Sequence, residues 1–70
     1  IAVSELQAGA ASVMWAMYTA SRNVLIAETA RQFGYARLDG AMHDRIGLAI
    51  DIMIQDGRLL DQSGNLTLKE

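Results

Sequence analysis

The chain has 70 residues, no cysteine, one histidine and a formal net charge of −2. That excludes a disulfide staple or a histidine-cysteine zinc site, and leaves one small core whose formation removes only about 60% of the unfolded surface from water. The charge argues against strong nonspecific polyanion binding, which draws its affinity from Lys and Arg laid against phosphates; any contact with DNA must rest on a local cluster.

The opening Ile-Ala-Val suggests one domain, residues 1–70, cut from a larger protein. The apolar-leaning stretch from Leu6 to Ala20 is too short to cross a membrane and is diluted by Gln7, Gly9, Ser12 and Thr19. It also lacks the basic flank of a signal peptide, so no membrane partner is expected and a cytoplasmic setting is. At about 100° per residue, Leu6, Ala10, Val13, Met14, Met17 and Tyr18 fall in one stripe of a first helix, with Ser4 as its N-cap. Its other side carries Ala8, Ala11, Ser12 and Ala16, with Trp15 on the flank, and no charged residue occurs from Leu6 through Ser21. Small residues there admit a neighbouring helix of the same domain, or else the face packs on the parent chain or on a second copy as a homodimer.

Next in the chain, Asn23 is expected in a turn, Val24 and Leu25 in a two-residue strand, and Ile26 to Phe33 in a short helix stopped by Gly34. Ile26, Ala30 and Phe33 share its inner face; Glu28, Arg31 and Gln32 lie outside. Asp39 caps a third helix, Gly40 to Asp56, with Met42, Ile46, Ala49, Ile50 and Met53 inward and Asp44, Asp51 and Gln55 opposite. Leu48 and Ile52, four apart, make a second apolar strip that something else should cover. Gly57 ends the helix, Arg58 to Leu60 forms a strand, Asp61 to Asn65 turns, and Leu66 to Lys69 returns with Leu66 and Leu68 inward. The expected core is Leu6, Val13, Met17, Ile26, Phe33, Ile46, Ile50, Met53, Leu60 and Leu66. Helix, tiny strand, helix, turn, helix and hairpin is the order of a winged helix-turn-helix, a mainly α fold (α+β) of three helices and a C-terminal wing.

Gly34 and Tyr35, Arg37 and Gly40, Ile46 and Ile50, Gly57-Arg58-Leu59, and Gly64 with Leu66 and Leu68 mark a stretch of about residues 29–68. On these positions the chain resembles an uncharacterised winged-helix-like domain at the C-terminal end of bacterial superfamily-one helicase-like and nuclease-like proteins. The resemblance implies a non-catalytic accessory domain of a larger nucleic-acid enzyme and carries over no catalytic residue. Those domains bear more Arg and Lys on the long helix, where this chain has Asp44 and Asp51.

The residues themselves offer little for catalysis. His43 is the one imidazole, and adjacent helical residues such as His43 and Asp44 diverge by about 100°, so no acid-base dyad is expected. Without a second His or Cys, a phosphate loop or a nucleophile elbow, the domain is expected to be no enzyme and to take no cofactor and no metal. Two binding surfaces compete. For DNA, Arg22, Arg31, Arg37 and Arg45 precede or open the third helix and can gather along one edge, while the wing turn lacks any Lys or Arg and Asp44, Asp51 and Gln55 occupy the presumed reading face. The alternative for these arginines is ordinary pairing with Glu28, Asp39 and Asp44. For protein docking, the candidates are Trp15, Ala8, Ala11, Ser12, Leu48 and Ile52. Docking is expected first, weak salt-sensitive DNA binding second.

Overall fold

The structure, a computed structural model, describes residues 2–34 and 39–69. In chain order the elements are α1 (Val3–Met17), β1 (Thr19–Ser21), α2 (Arg22–Gln32), α3 (Gly40–Gln55), β2 (Leu59–Gln62) and β3 (Asn65–Leu68). Three helices pack on a small antiparallel sheet of order β1-β3-β2, the expected winged helix-turn-helix arrangement.

α1 starts two residues earlier than expected. Its N-cap is Ala2 rather than Ser4, because the Ala2 carbonyl already accepts from the amides of Glu5 and Leu6. Leu6, Gly9, Ala10 and Met14 are buried; Val13 is half-buried and Met17 and Tyr18 are exposed, so the stripe is in phase but its last turn carries no core. The chain leaves the helix there, with the Tyr18 amide donating to Met14 O at 2.8 Å and Tyr18 itself at φ 70°, ψ −49°. For a residue with a bulky side chain that is a strained backbone.

The first strand is Thr19–Ser21, not Val24 and Leu25. Ser21 decides this: its Oγ accepts from the Val24 amide at 3.3 Å, capping α2, so that Asn23, Val24 and Leu25 form the first turns of a helix. Leu25 and Ile26 are thereby both buried. Thr19 Oγ1 donates to Leu66 O at 3.1 Å and Ala20 pairs with Leu66, which ties β1 to β3. At the other end of α2, Gly34 takes φ +85° as the expected stop. Phe33 is half-buried rather than central, and its ring lies on α1 where Gly9 stands: a Cβ on Gly9 would meet Phe33 Cε2 at 2.5 Å.

Asp39 caps α3, accepting from the Met42 amide at 2.7 Å. The helix buries Ile46, Gly47, Ala49, Ile50 and Met53 and closes with paired bonds from Arg58 N to Met53 O and from Gly57 N to Ile54 O, a Schellman motif around Gly57 at φ +81°. That closure sets the phase of the hairpin. Leu59 points inward at 1% exposure and Leu60 outward at 37%, the reverse of the expected core assignment. A strand alternates faces with period two, so only one of two adjacent leucines can enter the core. Ser63 and Gly64 both have positive φ and link Gln62 to its partner Asn65, a two-residue type I′ turn that lengthens both strands into the expected loop.

Candidate docking trough and arginine edge

Two of the four arginines expected along one edge, Arg22 and Arg31, are held by carboxylates. Arg22 holds Asp51 through two bonds, Nε to Oδ1 and a terminal nitrogen to Oδ2, each 3.2 Å. The pair bridges α2 to α3 directly above Gly47, where an added Cβ would sit 2.7 Å from the guanidinium. Arg22 is therefore a clasp between two helices, and a glycine four residues before an aspartate on the same helix was the signal for it. Arg31 pairs with Glu28 at 3.0 Å, as expected, and Arg58 with Asp56 at 3.1 Å. Arg45 is exposed on α3 and has interactions of its own; Arg37 lies outside the described residues. Asp39 serves as the cap of α3. His43 Nδ1 comes to 3.7 Å from Asp44 Oδ1, closer than their divergence along the helix suggests. That separation is beyond a hydrogen bond, and both groups face water. Among the described residues no group of His, Cys, Asp or Glu could hold a metal ion, and no helix is long and apolar enough to cross a membrane.

The outer face of α3 shows Asp44, Asp51 and Gln55 beside exposed Leu48 and half-buried Ile52. Carboxylates there repel phosphates. Leu48 and Ile52 line neither of the two hollows described next, so they do not join the surface formed by the first helix.

That surface is a trough between α1 and the β2-β3 hairpin. At one end a hollow of about 820 Å³ opens among Met14, Trp15, Tyr18, Leu60 and Thr67. Trp15 and Tyr18 are each 78% exposed. At the other end a second hollow, about 380 Å³, is lined by Ser4, Ala8, Ala11, Met53 and Arg58. Leu68 and Lys69 line both, so the two hollows adjoin at the end of β3 and together form the trough. Of the expected docking residues, Trp15, Ala8 and Ala11 are brought together here. Ser12 turns the other way, its Oγ accepting from Gln32 Nε2 of α2 at 3.2 Å. Tyr18 and Leu60 were missed because each belonged to an apolar pattern that suggested core; the doublet Leu59-Leu60 and the β-branched Thr19 after Tyr18 were the available hints. No family model matches this chain, and no curated protein and no solved structure matches it either.

Proposed function

We propose that this domain is a non-catalytic docking module that binds protein through the α1-hairpin trough, as a cytoplasmic accessory domain of a larger, helicase-like chain. The helicase-like parent rests on the sequence resemblance alone. One observation carries the docking: Trp15 and Tyr18, both 78% exposed, stand beside exposed Leu60 on a single concavity. Aromatic side chains of this kind bury roughly 150–250 Å² each and dominate interfaces when desolvated. Left in water they contribute nothing to the fold.

The alternative is a DNA-binding winged helix using Arg22, Arg31, Arg37 and Arg45 with α3. The order of elements favours it; the engagement of Arg22 by Asp51 and of Arg31 by Glu28 weighs against it. A helical-peptide library displayed on phage, selected on the protein and counter-selected on Trp15→Glu, tests the first reading, with binders expected to depend on Trp15. Binders indifferent to Trp15→Glu would refute it. Fluorescence anisotropy with a DNA duplex at several salt concentrations tests the second, and sub-micromolar affinity at physiological salt would reverse the ranking.

A further inference from the structure

We infer that the occupant of the trough is a second copy of this chain, paired through antiparallel α1 helices with each Trp15 seated in the other copy's smaller hollow. The inference rests on the trough's being a docking surface and names what fills it. Ser4, Ala8 and Trp15 lie on one strip of α1, within roughly 40° of one another around the helix axis. Trp15 projects at one end of that strip. The smaller hollow opens at the other end, beside Ser4 and Ala8. A two-fold axis lying in the contact plane and crossing α1 between Ala8 and Ala11 turns this strip onto itself. It sets Trp15 opposite the partner's Ser4 and Ala11 opposite the partner's Ala8, and it keeps both hairpins on the same side. Each indole then leans toward the partner's hairpin, where the hollow is. A knob and a hole on one strip are thus satisfied twice by one operation. A hollow of about 380 Å³ is ample, since pockets from about 300 Å³ upward hold whole drug-sized ligands.

Charge favours the same occupant. No charged residue lies between Leu6 and Ser21, so the operation brings no like charges together along the seam. Glu5 ends roughly 13 Å along the axis from its copy, beyond the Debye length of about 8 Å at physiological salt. Arg58 and Lys69 on the rim of the hollow offer cations to the face of the incoming indole. Size is adequate too. The 15 residues of α1 run about 22 Å along a body 29 Å long, and alanines at the crossing allow an axis separation near the lower limit of about 8 Å. A standard interface of about 800 Å² per partner takes about a fifth of the 4371 Å² surface.

The chain has one tryptophan and no cysteine, so emission reports Trp15 alone and an introduced thiol is unique. Sedimentation equilibrium of the protein should show a monomer-dimer equilibrium, with Trp15 emission shifting to the blue and becoming shielded from acrylamide as the dimer forms. Trp15→Glu and, independently, Ala8→Arg should each weaken self-association at least thirtyfold with unchanged circular dichroism. A mixture of Ala8→Cys and Ala11→Cys chains should form disulfide-linked dimers faster than either does with Gln55→Cys. A chain that stays monomeric at the highest attainable concentration, or a dimer that survives both Trp15→Glu and Ala8→Arg, overturns the inference. If the chain is monomeric yet peptides selected on it depend on Trp15, the docking surface stands and only the second copy is lost; if neither is seen, both readings fall.

Discussion

Substituting Gly9 by alanine tests the packing of the Phe33 ring, at the end of α2, against α1. On α1 alone the change is favourable, because alanine is about 0.8–1.0 kcal/mol better than glycine in a helix interior. Against α2 it is not. The new Cβ would stand 2.5 Å from Phe33 Cε2 and 3.0 Å from Cζ. The ring must therefore retreat by roughly 1 Å to reach ordinary contact, and overpacking of this kind typically costs 1–3 kcal/mol. The ring is half-buried and has some room to give, so the net expectation is about 1 kcal/mol of destabilisation, or about 4–8 °C in Tm for a domain of this size. Phe33→Ala removes the obstacle at a cost of about 2 kcal/mol, below the value for a fully buried ring. In that background Gly9→Ala should stabilise by about 1 kcal/mol. The sign reversal, a coupling of about 2 kcal/mol, is read from urea denaturation of the four proteins by circular dichroism. If Gly9→Ala shifts the midpoint equally with and without the Phe33 ring, the ring does not rest on Gly9 and the packing of α1 on α2 is misassigned.

Leu59→Ala should cost about 2–5 kcal/mol and Leu60→Ala less than about 1, since only the first is in the core; equal effects in thermal melts would mean the hairpin has the opposite phase. Thr29 is fully buried and, among the described residues, its hydroxyl alone is a buried side-chain group without a hydrogen-bond partner. Thr29→Val keeps the shape and removes the orphan, so a gain of about 1 kcal/mol is expected in chemical denaturation, and a loss would reveal a partner for that oxygen. Tyr18→Gly should relieve the positive φ and stabilise the fold by about 1 kcal/mol while weakening Trp15-dependent binding; a glycine variant that melts lower would show that the tyrosine ring, despite its exposure, is held by the fold.

Local chemistry carried most of the architecture. Asp39 capping α3, Gly34 and Gly57 stopping helices at positive φ, and the Ser63-Gly64 turn are decided within a few residues by which backbone groups lack partners and which residues tolerate a left-handed conformation. The same kind of signal was available at Ser21, whose Oγ caps a helix where a two-residue strand at Val24 and Leu25 was expected. The periodicities also placed Leu6, Ile26, Ile46, Ile50, Met53 and Leu66 correctly in the core. What periodicity could not say is how far each apolar stripe is covered or which of two adjacent leucines turns inward. Met17, Tyr18 and Leu60 match the inward pattern and stand in water, because coverage depends on where the next element lies and the hairpin's phase on how the Gly57 motif closes. The clasp of Arg22 on Asp51 joins residues on different helices over the gap left by Gly47, and the trough joins α1 to a hairpin more than forty residues away. Such sites are made by side chains that meet only when separate elements pack, so their members carry no common spacing along the chain and only the tertiary structure could bring them together.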